Sequence, residues 1–343
     1  MTPTAVPPQA AREIKLAAGS GEDSIALNSF FPSKVTVREG DTLTWTLGHP
    51  DEPHTISFLS GAPRPTDLIP IEGGSPTDVQ LTPSTQFPTR ASGAPVEVYN
   101  GEGFISSGLV ATFPQGPPGT LPYDTFSLVM GKAGTYEYVC FLHPQMRGIV
   151  TVVPSNTLDV TSQAAVDSAA AAEESELRAQ IDATREGGNL VRREAGPNGT
   201  TTWKLLAGSA ARDSRAEIYE FLNNDLTIKE GDTVVWSVKG PSIHTVTFHP
   251  GEEAPGFVTV VPQEGGPPIL QIDAKVAFPV RPSGEFDGTG YWNSGLMDIF
   301  EPDRPTSHTM TFTKAGVYDY ICAVHGPLGM KGTITVVASV AQR

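Results

Sequence analysis

Apolar and polar positions alternate in short blocks along most of the chain, and the blocks come in two matching sets. Lys34-Val-Thr-Val-Arg-Glu-Gly-Asp-Thr-Leu-Thr-Trp45 alternates on either side of a Glu-Gly-Asp turn, and Asp225-Leu-Thr-Ile-Lys-Glu-Gly-Asp-Thr-Val-Val-Trp236 repeats it. Ile14-Lys-Leu-Ala-Ala-Gly-Ser20 returns as Trp203-Lys-Leu-Leu-Ala-Gly-Ser209, and His54-Thr-Ile-Ser-Phe58 as His244-Thr-Val-Thr-Phe248. Gly103-Phe-Ile-Ser-Ser-Gly-Leu109 matches Gly290-Tyr-Trp-Asn-Ser-Gly-Leu296, and Lys132-Ala-Gly-Thr-Tyr-Glu-Tyr-Val-Cys140 matches Lys314-Ala-Gly-Val-Tyr-Asp-Tyr-Ile-Cys322. Same order and a drifting offset mark an internal duplication. Period-two alternation ending at Gly, Pro or Asp predicts half-buried strands of a sandwich in each copy. The two Glu-Gly-Asp turns are expected to close hairpins. The stretch from Ser60 to about Thr125, rich in Pro and Gly, is expected to form a long loop region over one end of the first sandwich.

A segment of different character separates the copies. Residues 163–186 are rich in Ala and Glu, follow Thr161-Ser162 as candidate N-caps and stop at Gly187-Gly188, which predicts one helix acting as a solvated spacer. The expected organisation is a first domain over 11–153, a linker over 154–200 and a second domain over 201–338.

Composition narrows the choice of function. With 35 Gly, 31 Pro and only 18% charged residues in 343, the chain is turn-rich and mainly β. A net charge of −15 without Lys/Arg clusters argues against nucleic acid and suits a basic protein partner. No apolar run is long enough to span a membrane. Residues Met1–Pro8 have neither the basic nor the apolar region of a signal peptide. Two cysteines allow at most one disulfide.

Each cysteine opens a motif. Cys140, His143 and Met146 follow a Cys-x2-His-x2-Met spacing, and Cys322, His325 and Met330 a Cys-x2-His-x4-Met spacing, each at the end of a predicted strand. His54 or His244 supplies a fourth candidate from an earlier strand. A thiolate, two imidazoles and a thioether suit a trigonal copper site with a weak axial methionine. The chain has seven histidines, and only these four recur at matching places; His49, His249 and His308 are expected to be lone surface residues without a metal role. Met130, Met297 and Met310, and the tyrosines at 136, 138, 318 and 320, are expected to pack in the core.

Both halves resemble the cupredoxins, the blue copper family of plastocyanin, amicyanin and azurin. The second ligand loop resembles that of plastocyanin and the first the shorter loop of amicyanin, although Thr55 and Thr245 stand where plastocyanin has Asn. The resemblance implies an all-β chain of two Greek-key sandwiches joined by a linker containing an α-helix. It implies two type-1 copper ions, one held by His54, Cys140, His143 and Met146 and the other by His244, Cys322, His325 and Met330. It also implies single-electron transfer between protein donor and acceptor in an extracytoplasmic compartment. His143 and His325 would lie near the surface as electron ports, rimmed by Phe141, Leu142 and Pro144, or by Ala323, Val324 and Pro327. An oxidase or nitrite-reductase-like enzyme with an additional intersubunit copper is the alternative. Against it, the chain has no His-x-His pair and no histidine beside either cysteine. A copper storage or delivery protein is a further alternative, against which stand two complete ligand sets.

Overall fold

The computed structural model describes residues 7–90, 94–112, 124–188, 192–264, 268–281 and 283–339. Each copy is a two-sheet sandwich. In the first, Glu13–Glu22, Ile25–Phe31, Thr42–Leu47, Thr125–Met130 and Glu97–Tyr99 share one sheet. The second sheet of that copy holds Lys34–Arg38, Arg147–Val153, Gly134–Val139, Ser57–Phe58 and Ile105–Ser106. The second copy repeats both sheets, with Thr201–Ala210 in the place of Glu13–Glu22 and Gly316–Ile321 in that of Gly134–Val139. Alternating inward side chains meet between the sheets. Phe30, Trp45, Phe58 and Tyr138 fill the first core, and Phe221, Trp236, Phe248 and Tyr320 the second. Met130, Met297 and Met310 are buried core residues.

The Glu-Gly-Asp turns are not hairpins. Lys34–Arg38 pairs with Arg147–Val153, whereas Thr42–Leu47 pairs with Glu13–Glu22 in the opposite sheet, so the turn carries the chain across the sandwich. Gly40 and Gly231 hold the required left-handed backbone, with φ of 88° and 90°. The aspartate closes the crossing: Asp41 accepts from the Arg38 and Arg12 amides, and Asp232 from the Lys229 and Thr201 amides.

The two copies share one sheet. Strand Ala216–Leu222 pairs antiparallel with Ile25–Phe31, in the register Ala216 to Leu27 and Ile218 to Ile25, which fuses the two larger sheets into one of 11 strands. A smaller four-stranded sheet is also shared: Val258–Val261 and Ile269–Ile272 from the second copy continue onto Val79–Leu81 and Leu68–Pro70 from the first. The Ser60–Thr125 region is therefore structured in its described part, with a helical turn at Pro83–Gln86; residues 91–93 and 113–123 lie outside the description.

The connecting segment is two helices, Gln163–Arg178 and Ile181–Gly188, and it is not a solvated spacer. Ser162 Oγ accepts from the Ala165 amide as the N-cap. Val166, Leu177 and Ile181 are buried, the last two against Leu27, Phe31, Ile218 and Leu222 on the strands that join the copies. The break at 179–180 lets the second helix follow the second copy's strands while the first stays on Glu13–Glu22 and Ile25–Phe31. Strand Arg192–Ala195 then pairs with Thr201–Ala210.

Buried polar groups line the seam between the copies. Glu217, 1% exposed, accepts from Asn28 Nδ2 at 2.7 Å and from the Ser242 hydroxyl at 3.1 Å. Burial pushes its carboxyl up to about 7; the charge of Glu52 adds to this, while His143 and the bonds from Asn28 and Ser242 oppose it. A carboxyl raised on folding binds its proton more tightly in the folded state. The stabilisation is complete below the ordinary value of 4.5 and is lost as pH climbs through about 7. The loss amounts to about 3 kcal/mol. Glu217→Gln should flatten this part of the stability profile. Chemical unfolding at pH 5 and pH 8 checks it, and a slope equal to that of the parent protein would refute the assignment.

Candidate metal centres

Two buried clusters of metal-binding side chains stand at corresponding places in the copies. His54 Nδ1, His143 Nδ1 and Cys140 Sγ form one, and the equivalent atoms of His244, His325 and Cys322 the other; within each, all three lie within 4.8 Å of one another. In the first, the two Nδ1 atoms are 3.1 Å apart and the thiol is 3.6 Å from His143 and 3.9 Å from His54. In the second, the Nδ1 atoms are again 3.1 Å apart and Cys322 Sγ is 3.8 Å from His325. Two imidazole nitrogens turned toward each other at this distance need a proton or a cation between them.

Local structure delivers each group. Cys140 and Cys322 end their strands, and the loops fold back so that the Cys140 amide donates to the Met146 carbonyl and the Cys322 amide to the Met330 carbonyl. Both methionines are fully buried. His54 is bridged to Val110, and His244 to Met297. Thr55 takes over the loop-tying role: its amide donates to Cys140 Sγ at 3.3 Å, and its hydroxyl accepts from the Phe141 amide at 2.8 Å. Thr245 does the same for Cys322 and Ala323. The repeated Ser-Gly pairs are a backbone constraint. Ser107 Oγ accepts from the Ile56 amide, and Gly108, at φ of 63°, lies where a Cβ would meet the Phe87 carbonyl carbon at 2.4 Å.

Gly19 and Gly208 are site residues that the sequence reading quoted in its repeat without giving them a role. With φ of 72° and 74°, each presses on a ligand ring: an added Cβ would stand 2.1 Å from His54 Nε2 or His244 Nε2. The repeated Ala-Gly-Ser in an otherwise regular strand was the available signal.

The loop histidines are not at the surface. His143 is 4% and His325 5% exposed, both beside the seam between the copies. The proposed docking rims are also covered: Phe141 and Ala323 are buried, and Leu142 and Val324 pack in clusters with residues of the shared four-stranded sheet and its loops. Of the rim residues, Pro327 is exposed. His49 and His308, expected at the surface, are buried too, His49 beside Gly21 and His308 against the Trp236 ring. His249 is half-buried, with Nδ1 near the Glu252 carbonyl. None of the three belongs to a metal-binding cluster among the described residues.

The centres differ electrostatically. Burial alone would raise the Cys140 thiol, but bonds and charges from His143 and His54 hold it well below its ordinary value. Burial would lower His143; Cys140 and the Glu52 carboxylate, 2.9 Å from Nε2, instead raise it to about 10. In the second centre burial prevails: Cys322 is pushed up despite bonds from the His325 and Thr245 amides, and His325 is lowered to about 4. Among the described residues no carboxylate is paired with His325; its ring stacks on Tyr219 at 4.1 Å.

The glycine contact gives a direct test. Gly19→Ala should cost about 1–2 kcal/mol for the left-handed backbone alone and should displace His54. Copper titration should then show weaker binding at one centre, with the other as in the parent chain. Two unchanged affinities would refute the packing role of Gly19.

Residues 304–337, which carry Cys322, His325 and Met330, match the family described as copper binding proteins of the plastocyanin/azurin family. No curated protein sequence matches the chain. Among solved structures, an oxidised Met-to-Lys mutant of amicyanin is 22% identical over 34% of this chain and 73% of its own, with a TM-score of 0.20. The oxidised form of plastocyanin from Dryopteris crassirhizoma is 20% identical over 39% of this chain and 99% of its own, with a TM-score of 0.23. The first copy repeats that architecture around the same residue types, but the family match falls on the strands and loop that carry the second cluster, so the likeness to the plastocyanin/azurin family is local to that segment.

Proposed function

We propose that the chain is a single-electron carrier holding two type-1 copper ions, one at His54, Cys140, His143 and Met146 and one at His244, Cys322, His325 and Met330. The observation that carries this reading is the duplicated convergence of two Nδ1 atoms and one Sγ in a buried pocket. Copper supplies the one-electron couple. Soft sulfur suits Cu(I) and imidazole suits Cu(II), so a mixed set binds both states. The chain's own contribution is rigidity: strand ends, the Thr55 and Thr245 ties and the glycine contacts hold the donors in place, which keeps rearrangement between redox states small.

The carrier reading is favoured over an enzyme because no histidine adjoins Cys140 or Cys322 and no His-x-His pair is present. The partners are redox proteins; an acidic chain of net charge −15 steers toward basic surfaces. With both loop ends turned into the seam, a partner meets this protein on other faces than the rims around His143 and His325. An extracytoplasmic location accords with the cupredoxin character.

Copper per chain, measured together with the visible and electron paramagnetic resonance spectra of the oxidised protein, tests the proposal. Two coppers with intense thiolate-to-Cu(II) absorption are expected. Cys140→Ser should remove one centre's absorption and leave the other's. A third copper with a type-2 signal would favour the enzyme reading, and failure to bind copper on reconstitution would refute both.

A further inference from the structure

Glu52 breaks the symmetry of the duplication at the metal centres. It stands two residues before His54, where the second copy has Ser242 before His244. Glu52 is 5% exposed, and its Oε1 lies 2.9 Å from His143 Nε2. The other nitrogen of that ring, Nδ1, points into the centre, 3.6 Å from Cys140 Sγ and 3.1 Å from His54 Nδ1. A carboxylate on Nε2 keeps the hydrogen there and leaves the Nδ1 lone pair free to bind metal. In the second copy Ser242 turns away from His325. Its hydroxyl lies 3.1 Å from both Glu217 Oε1 and the Tyr219 hydroxyl. The Tyr219 ring covers His325 at 4.1 Å and 20°, and Asn28, which aligns with Tyr219 in the first copy, donates to the Tyr219 hydroxyl at 3.0 Å. So one loop histidine is held by a buried anion and the other by a neutral aromatic face.

Building on the copper reading, we propose that Glu52 is a positioning residue that makes two otherwise matching centres unequal. It fixes the His143 tautomer and places a buried negative charge one imidazole away from the first copper, favouring Cu(II) over Cu(I) there and lowering that centre's potential. It touches no copper itself. The charge is little screened, because both partners are out of water. The effect is strongest at the first centre, because Glu52 is bonded to His143 whereas its charge reaches His325 only through space.

The test is a spectroelectrochemical titration of the full chain, with Cys140→Ser and Cys322→Ser used to assign each couple. Glu52→Gln keeps an acceptor for the Nε2 hydrogen and removes the charge. It should weaken the first centre's preference for Cu(II) about tenfold, an upward shift of roughly 59 mV for a one-electron couple, with a clearly smaller shift at the second centre. Glu52→Asp, which keeps the charge, should hold the first potential near its parent value. Equal shifts at both centres, or none in a folded and copper-loaded Glu52→Gln, would overturn the proposal. A measurement on the parent protein needs no variant: in the Cu(I) form, the His143 Nε2 hydrogen should exchange with water far more slowly than that of an open imidazole. Exchange at the open rate would overturn the proposal as well. A parent protein that binds copper without type-1 absorption would instead refute the copper reading beneath it.

Discussion

The pairing of Ala216–Leu222 with Ile25–Phe31 governs the rest of the molecule. Isolated, each strand would be the open edge of a sandwich, with unpaired amides and carbonyls that invite association. Joined over residues 25–27 and 216–218, they pair part of those edges and fix the relative rotation of the two copies. Their side chains are then covered on both faces, by the sandwich cores on one side and the connecting helices on the other. This is why Ile25-Ala-Leu-Asn-Ser-Phe-Phe31 is buried almost throughout, against the alternation typical of the other strands.

That geometry turns the ligand loops inward. Once the edge strands are paired, His143 and His325 both lie beside the seam, and the charge of Glu52 in the first copy acts on His325 in the second. The four-stranded sheet built from both His-to-Cys insertions covers the remaining apolar rim. Leu142 and Val324, beside the loop histidines, pack in clusters that include residues of the sister copy. The seam must accommodate polar groups, and Asn28 Nδ2, Glu217, Tyr219 and Ser242 bond one another there, while Asn28 Oδ1 is buried without a bond.

What the sequence disclosed follows from which interactions are local. Strand blocks, the duplication and the Cys-x2-His spacings depend on neighbours along the chain and were readable. The direction of the Glu-Gly-Asp turn was not, because alternation on both sides suits a hairpin and a sheet crossing equally. The single long helix was misjudged for a related reason. Val166, Ala170, Leu177 and Ile181 mark a thin apolar stripe among alanines and glutamates, and the break at 179–180 answers to the second copy's strands. Glu52 had no local signature. Its importance comes from a contact made only after Cys140, His143 and the remote His54 strand have come together.

Divergence between copies concentrates at the seam, and there it has a physical logic. The donor atoms, the threonine ties and the glycine contacts are duplicated because each centre needs them whatever surrounds it. Glu52 against Ser242, and Asn28 against Tyr219, differ where the copies meet, and the charge of Glu52 adds to the burial that raises the Glu217 carboxyl on the same seam. One loop histidine is held by the Glu52 carboxylate and the other by the Tyr219 ring. The same loops that hold the donors also form the contact between copies, so opening the seam would expose Glu52 and His143 to water and loosen the first centre. Any ligand that prefers the closed seam to an open one would stabilise its closure.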